Sequence, residues 1–287
     1  MSEKPLSTAI ENCPDPTCCG GATADEKARL GEGADVRTIV RDRYARIAEG
    51  EVSGCCGGSG CGADQVLVDV GYTADQAAAI PEGANLGLGC GNPLAWAGLQ
   101  PGEAVLDLGS GAGIDCFLAA REIGPRGRVI GVDMTPAMID RARANAARGD
   151  YAQVEFRLGE IEHLPVADAS VDVIVSNCVI NLSPDKAQVF REARRALRPG
   201  GRLLVSDLVW LRPLPDAVRR SVDLLVGCVA GASLKQDYLA LIREAGFRDI
   251  EVVHEGRYAP GSGAFAPDTL EHDAYDAVAS IKVRAVK

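Results

Sequence analysis

The sequence is short of several things, and each shortage excludes a class of function. Only 5% of its 287 residues are aromatic, and it holds three His, three Met and two Trp. His163, His254 and His272 stand far apart with no H-E-x-x-H among them, which removes the metalloprotease type of zinc centre. No G-x-S-x-G elbow is present, which removes the common serine-hydrolase signature. Basic charge is in deficit: 30 Lys+Arg against 40 Asp+Glu leave a net charge of −10, whereas a nucleic-acid surface needs clustered cations. No apolar run approaches the roughly 20 residues of a membrane span. The opening MSEKPLSTAIENCPD lacks the apolar core of a signal peptide. The expectation is a cytoplasmic chain with neither nucleic acid nor membrane as partner.

What the chain does have is 47% hydrophobic residues, 33 Gly and 10 Cys. That is enough to bury one large domain, or a core with an appended lobe. In a reducing compartment such cysteines are more often buried, metal-binding or reactive than structural disulfides.

The stretch from Ala104 to Asp133, AVLDLGSGAGIDCFLAAREIGPRGRVIGVD, organises the rest. Val105, Leu106 and Leu108 form a buried-strand run. Asp107, Gly109, Gly111 and Gly113 alternate through a turn, where glycines admit positive φ and close approach of backbone N–H groups to a ligand. Ile114 to Ile123 reads as a helix whose N-terminus points at the same place. A second strand ends at Asp133, about 20 residues on, where an acid can grip a ribose diol. A dinucleotide fingerprint fails, because its third glycine falls on Ile114 or Cys116. The D-x-G-x-G-x-G present resembles the loop for S-adenosylmethionine (SAM) in class I methyltransferases.

Four regions follow. Residues 1–34, rich in Pro, Gly, Asp and Glu with no apolar period, are expected to form a flexible tail, and they carry Cys13, Cys18 and Cys19. Residues 35–100 hold a helix with Asp35 as N-cap and Gly50 as stop, the glycine–cysteine loop SGCCGGSGCG with Cys55, Cys56 and Cys61, a short capped helix from Thr73 to Ile80, and Cys90 in GLGCGNP. Residues 101–212 alternate strands and helices, which predicts an α/β, doubly wound, Rossmann-like sheet with ligands at the strands' carboxyl ends. That rule sets Asp107, Asp133, Glu160 and Cys178 along one edge. Residues 213–287 form a smaller α+β C-terminal lobe, with a helical stretch from Pro215 to the GCVAGA segment, a helix capped by Ser233, and strands near 250–254 and 280–286.

Cys116, in the first turn of a helix beside Phe117, reads as a core thiol. Cys90, between glycines, and Cys228, among small residues, read as accessible. Zinc is not expected, since Cys56 and Cys61 make one half-site without a second. Several thiols from distant segments facing a methyl donor suit a soft, thiophilic acceptor.

The chain resembles the SAM-dependent arsenite methyltransferases over residues 36–287. The matching segments include NLGLGCGNP (85–93), PGEAVLDLGSGAGIDCFLAA (101–120), VIGVDMTPAMI (129–139), VEFRLGEIEHLPV (154–166), VSNCVINLSPDK (175–186), RPGGRLLVSD (198–207) and GCVAGA (227–232). The glycine loop is general to class I methyltransferases, while the segments bearing Cys178 and Cys228 are specific. The resemblance implies SAM contacts at Asp107, Gly109, Ser110, Gly111, Gly113, Asp133, Met134, Ile161, Glu162 and Asn177. It implies arsenite, delivered as a thiol conjugate, on Cys178 and Cys228, with a third thiolate from Cys90 or the N-terminal loop (Cys55, Cys56 or Cys61). The arsenic lone pair then takes the SAM methyl group in line, with no metal cofactor. It further implies a disulfide between an N-terminal cysteine and Cys90, reset by thioredoxin or glutathione. The alternatives are a methyltransferase for an organic small molecule, and a protein that binds arsenite without turnover.

Overall fold

A computed structural model describes residues 36–51, 67–149, 151–219, 221–257 and 270–287. Cys13, Cys18, Cys19, Asp35, Cys55, Cys56 and Cys61 lie outside them. The described elements begin with α1 (Val36–Glu49) and α2 (Ala74–Ala79). The core follows with β1 (Ala104–Leu108), α3 (Ile114–Ile123), β2 (Arg128–Asp133), α4 (Pro136–Arg148), β3 (Val154–Leu158), β4 (Val171–Asn177), α5 (Lys186–Ala196) and β5 (Leu197–Trp210). The remainder comprises α6 (Asp216–Arg219), α7 (Val222–Val226), β6 (Ser233–Leu234), α8 (Lys235–Glu244), β7 (Arg248–Arg257), α9 (Leu270–Asp276) and β8 (Val278–Val286).

One eight-stranded sheet runs in the order β3-β2-β1-β4-β5-β8-β7, with β6 also on β5. Strands β3 to β5 are mutually parallel, while β8 lies antiparallel between β5 and β7. The register sets Asp107 beside Gly131 on one side and Val175 on the other. This is the α/β doubly wound arrangement that the alternation predicts. The strands of residues 213–287 continue this sheet instead of building one of their own.

Period-two alternation divides the strands' side chains between two cores. Leu106, Leu108, Ile130 and Ile174 meet Phe190 of α5 on one face. Val105, Val129, Val173 and Val175 meet Phe117 of α3 on the other. A third apolar cluster, including Val40, Leu208, Trp210, Val218 and Leu225, covers the carboxyl ends of the strands and contains Cys90, Cys178 and Cys228. Trp210 is fixed there by its indole N–H, which donates to the Val229 carbonyl at 2.8 Å.

Helix ends follow local chemistry in part. Thr73 caps α2, at the start of the short capped helix expected there, through a reciprocal box with Gln76. Asp185 caps α5 by accepting from the Gln188 N–H. Ser233 does not cap α8: it pairs in β6 with Val209 of β5, and Leu234 holds the cap position without a side-chain bond. The helical stretch after Pro215 is broken into α6 and α7. No helix among the described residues is long and apolar enough to cross a membrane.

Candidate active site

Because β1 to β4 are parallel, the segments following them converge at one end of the sheet. They line a cavity of about 150 Å³, closed by α1 and by Gly227 and Cys228. Gly109, Ser110 and Gly111 enter it after β1, Asp133 and Met134 at the end of β2, Ile161 and Glu162 after β3, and Asn177 and Cys178 at the end of β4. Gly113, at the head of α3, is left-handed at φ 101°.

The glycine loop is shaped for close approach. Gly109 has φ 67°, and a Cβ there would stand 2.3 Å from Val179 Cγ2, so no other residue fits without moving the Cys178 segment. Asp133 fastens the loop: its carboxylate accepts from the Gly111 N–H at 3.0 Å and the Thr135 N–H at 2.8 Å. The Ser110 hydroxyl is buried with no hydrogen-bond partner, a polar group left over for a ligand.

Three carboxyls crowd this end of the cavity. Burial, with the neighbouring Asp115 charge, pushes Asp107 well above the usual carboxylate range. Burial lifts Asp115 to about 6 against the opposing hydrogen bond from Tyr72. Asp133 is likewise raised by burial, opposed by the Thr135 and Gly111 N–H groups. Acids whose pKa is raised chiefly by desolvation are ones whose charged form a bound cation would favour, and the sulfonium of SAM is such a cation. The spare hydroxyl, glycine loop and converging carboxyls therefore fit SAM. Cys116 is the core thiol expected, donating to Asp107 Oδ2 at 3.3 Å with its pKa driven up by burial.

Asn177 ties the cofactor end to the thiol end. Its amide donates to the Gly91 carbonyl at 2.7 Å, to Tyr72 Oη at 3.0 Å and to Asp115 Oδ2 at 3.3 Å. Its oxygen accepts from the Cys90 N–H at 3.2 Å. The Cys90 loop is thus folded over the end of β4.

The expectation that Cys90 and Cys228 are accessible is corrected here. They are 3% and 4% exposed, because the third apolar cluster closes over both. Cys90 is joined in a disulfide to Cys178, across a Cα–Cα distance of 5.8 Å, and not to the N-terminal cysteine that the resemblance implies, because its loop is folded over the end of β4 beside Cys178. Cys228 lies against the same residue, its Sγ donating to the Cys178 carbonyl at 2.9 Å. Cys178 and Cys228 have φ of 61° and 63°, and are two of the four non-glycine residues with positive φ among those described. Such a conformation costs about 1–3 kcal/mol, so packing must hold both cysteines there, and strain of this kind concentrates at functional sites.

Several site residues carry weak sequence signals. Tyr72 donates to Asp115 Oδ1 at 2.8 Å, and only the position of Asp115 just after the glycine loop hints at it. Glu162 is buried, accepting from Ser183 Oγ at 2.5 Å and lying 3.4 Å from Arg37 of α1. Glu160, expected on the same edge, is 3.8 Å from Arg37. Asp207, at the end of the 198–207 segment, is raised to about 7 by burial. Its carboxylate lies within 4.8 Å of the Cys90 and Cys178 sulfurs. Lys186 is pulled down by burial despite the nearby Asp207 and Cys228 charges.

The comparisons with known proteins can now be set beside this geometry. Residues 99–246 match the family model described as a methyltransferase domain. The arsenite methyltransferase of Halobacterium salinarum is 54% identical over 230 residues, covering 76% of this chain and 59% of that protein. The crystal structure of CrArsM, an arsenic(III) SAM methyltransferase from Chlamydomonas reinhardtii, superposes with a TM-score of 0.61 at 36% identity, covering 78% of this chain and 73% of that one. The chain belongs to the arsenite methyltransferase family. The arsenite methyltransferase of Aquipseudomonas alcaligenes is 47% identical over 174 residues, 58% of this chain and 50% of that protein. The chain thus spans between half and three-fifths of the length of these two sequence relatives. Its fold is that of the SAM-dependent class I methyltransferases.

Proposed function

We propose that the chain transfers a methyl group from SAM to trivalent arsenic held by cysteine thiolates, an activity that serves arsenic detoxification. The observation that carries the reading is the meeting of Cys178 and Cys228, 50 residues apart in sequence, on the wall of the cavity that also holds the glycine loop.

Bound in that cavity, SAM supplies an electrophilic methyl group on a sulfonium. The protein's own contributions are positional and electrostatic. Gly109, Ser110, Gly111 and Gly113 seat the nucleoside end. Asp133 keeps the loop in place, and Met134, Ile161 and Glu162 line the cavity wall beside it. Asp107 and Asp115 offer negative charge to the sulfonium once ionised, which favours the cation over neutral ligands. Cys178 and Cys228 are the arsenic ligands, with Cys90 or an N-terminal cysteine as the third. Thiolates suit arsenic because both are soft, and arsenic held by three of them would keep a lone pair with which to attack the methyl group. Holding acceptor and donor in one cavity converts a bimolecular encounter into an oriented one.

Two of these thiols are tied together in the Cys90–Cys178 disulfide, so arsenite binding requires its reduction. The same pair can supply the two electrons that return arsenic to the trivalent state after methylation, becoming oxidised to the disulfide as it does so. An arsenite–thiol conjugate is the substrate, and glutathione or thioredoxin the reductant. We place the reaction in the cytoplasm, without nucleic-acid or membrane partners and without a resident metal: the one Cys/Asp cluster among the described residues uses the thiols assigned here to arsenic.

The test is release of S-adenosylhomocysteine with arsenite and glutathione present. Arsenite-dependent release in the wild type, lost in Cys178→Ser and Cys228→Ser, supports the proposal. Release that continues in both variants assigns the activity to an organic acceptor. Tight arsenite binding without release assigns a binding protein.

A further inference from the structure

A second cavity, of about 340 Å³, lies on the other side of the Cys90 loop. Trp96, His254, Arg257, Ser280, Lys282 and Cys90 line it. Cys178 lines the first cavity and Cys90 the second, and neither lines both. The disulfide is therefore the partition between the two. We propose that the second cavity is the docking site for a small anionic thiol, which opens the Cys90–Cys178 disulfide from its Cys90 side. The inference rests on the redox role given to that disulfide above.

The lining fits an anion with an apolar stem. His254 and Lys282 are direct partners across the β7–β8 ladder, so two basic side chains come from one point of the wall. Burial lowers the Lys282 pKa; its ammonium donates to Ser280 Oγ at 2.9 Å, and it enters no ion pair among the described residues. Ser280 Oγ in turn donates to the Cys90 carbonyl at 3.0 Å, which links the cationic wall to the disulfide. Arg257 adds charge at the rim, where Asp276 partly neutralises it at 2.8 Å, and Asp69 is the carboxylate that faces the cavity. Trp96 stacks on His254 with ring centroids 6.0 Å apart and remains 45% exposed, an apolar plate with one face to offer.

The chemistry balances with the thiol as the only added reagent. A thiolate attacks Cys90 Sγ, the S–S bond breaks, and Cys178 leaves as a thiolate that takes a proton from solvent. A second thiolate attacks the external sulfur of the mixed disulfide and releases Cys90 as a thiolate. Two external thiols are oxidised to one disulfide, and one protein disulfide is reduced to two thiols. This route keeps the incoming reductant out of the first cavity and away from the methyl donor.

The experiment takes the oxidised full-length chain and compares glutathione, an anionic thiol, with uncharged 2-mercaptoethanol. Reaction is quenched by alkylation, and the peptides are identified by mass spectrometry. The expected result is a glutathione adduct on Cys90, with opening by glutathione slowed about two- to fivefold in Lys282→Met and in His254→Gln. The 2-mercaptoethanol rate stays unchanged in both. An adduct on Cys178, equal slowing with both thiols, no slowing with glutathione, or an oxidised chain without this disulfide overturns the proposal. Single-turnover methyl transfer by the pre-reduced chain is measured alongside and stays at the wild-type rate in both variants. Its failure in the wild type would remove the methyltransferase reading, while the adduct position still decides the docking site.

Discussion

Asp207→Asn makes the sharpest thermodynamic test of the buried polar layer beneath the thiols. Asp207 is fully buried, and burial raises its carboxyl from the ordinary 3.8 to about 7. A carboxyl raised in this way binds its proton more tightly in the folded chain than in the unfolded one. Its ionisation penalty is therefore absent at low pH, sets in as pH rises above about 4, and is complete above about 7. At 1.36 kcal/mol per pKa unit the full penalty is about 4 kcal/mol, of which about 2–3 kcal/mol accrues between pH 5 and pH 8. The asparagine cannot ionise, so it lacks this component. It also leaves one of the donors that Asp207 now serves, Tyr238 Oη at 3.0 Å or the Leu208 N–H at 3.0 Å, facing an NH₂ group. That mismatch costs about 1 kcal/mol but does not depend on pH. Urea unfolding of the oxidised chain at pH 5 and pH 8 separates the two effects. The wild type should lose about 2–3 kcal/mol more than the variant over that interval. Parallel pH dependences would refute the buried, proton-binding carboxyl.

Three further outcomes are expected. Asp133→Ala removes the acceptor of the Gly111 and Thr135 N–H groups, and charge-assisted bonds of this kind are each worth about 1.5–3 kcal/mol; SAM affinity measured by calorimetry should fall by at least about tenfold. In Gly231→Ala the new Cβ would stand 2.1 Å from the Asn181 carbonyl oxygen, a backbone atom that cannot rotate aside. The chain should lose about 1–3 kcal/mol in denaturant unfolding, and arsenite affinity should fall as Cys228 is carried away from Cys178. Arsenite titration of the oxidised and reduced chains should show tight binding only after reduction, since Cys90 and Cys178 are not thiols until then; equal affinities would contradict the ligand set.

The glycine loop, the β1–β5 strands and the acid at the end of β2 were legible because each rests on local pattern: an apolar run, positive-φ glycines, an edge carboxylate. The short capped helix from Thr73 was legible for the same reason. Ser233 shows where local chemistry yields, since pairing with Val209 of β5 outweighs a cap it could otherwise provide. The continuation of the sheet through β8 and β7 depends on antiparallel pairing of β5 with a strand some 70 residues later, and no local signal reports that register. The thiol environments were hidden more deeply. Glycines around Cys90 suggest exposure, yet Asn177 and Ser280 draw that loop down over the sheet, and its disulfide partner lies 88 residues away. Tyr72 and Asp115 meet only because the 67–92 segment folds across the head of α3, so their pairing is a product of tertiary packing alone.

The most direct measurement follows the methyl group itself. The reduced chain is incubated with arsenite, glutathione and SAM carrying an isotopically labelled methyl group, and arsenic species are separated and detected by mass. The account predicts arsenic bearing the labelled methyl, in amounts matching the S-adenosylhomocysteine formed. Consumption of SAM with every arsenic atom left unmethylated would contradict it.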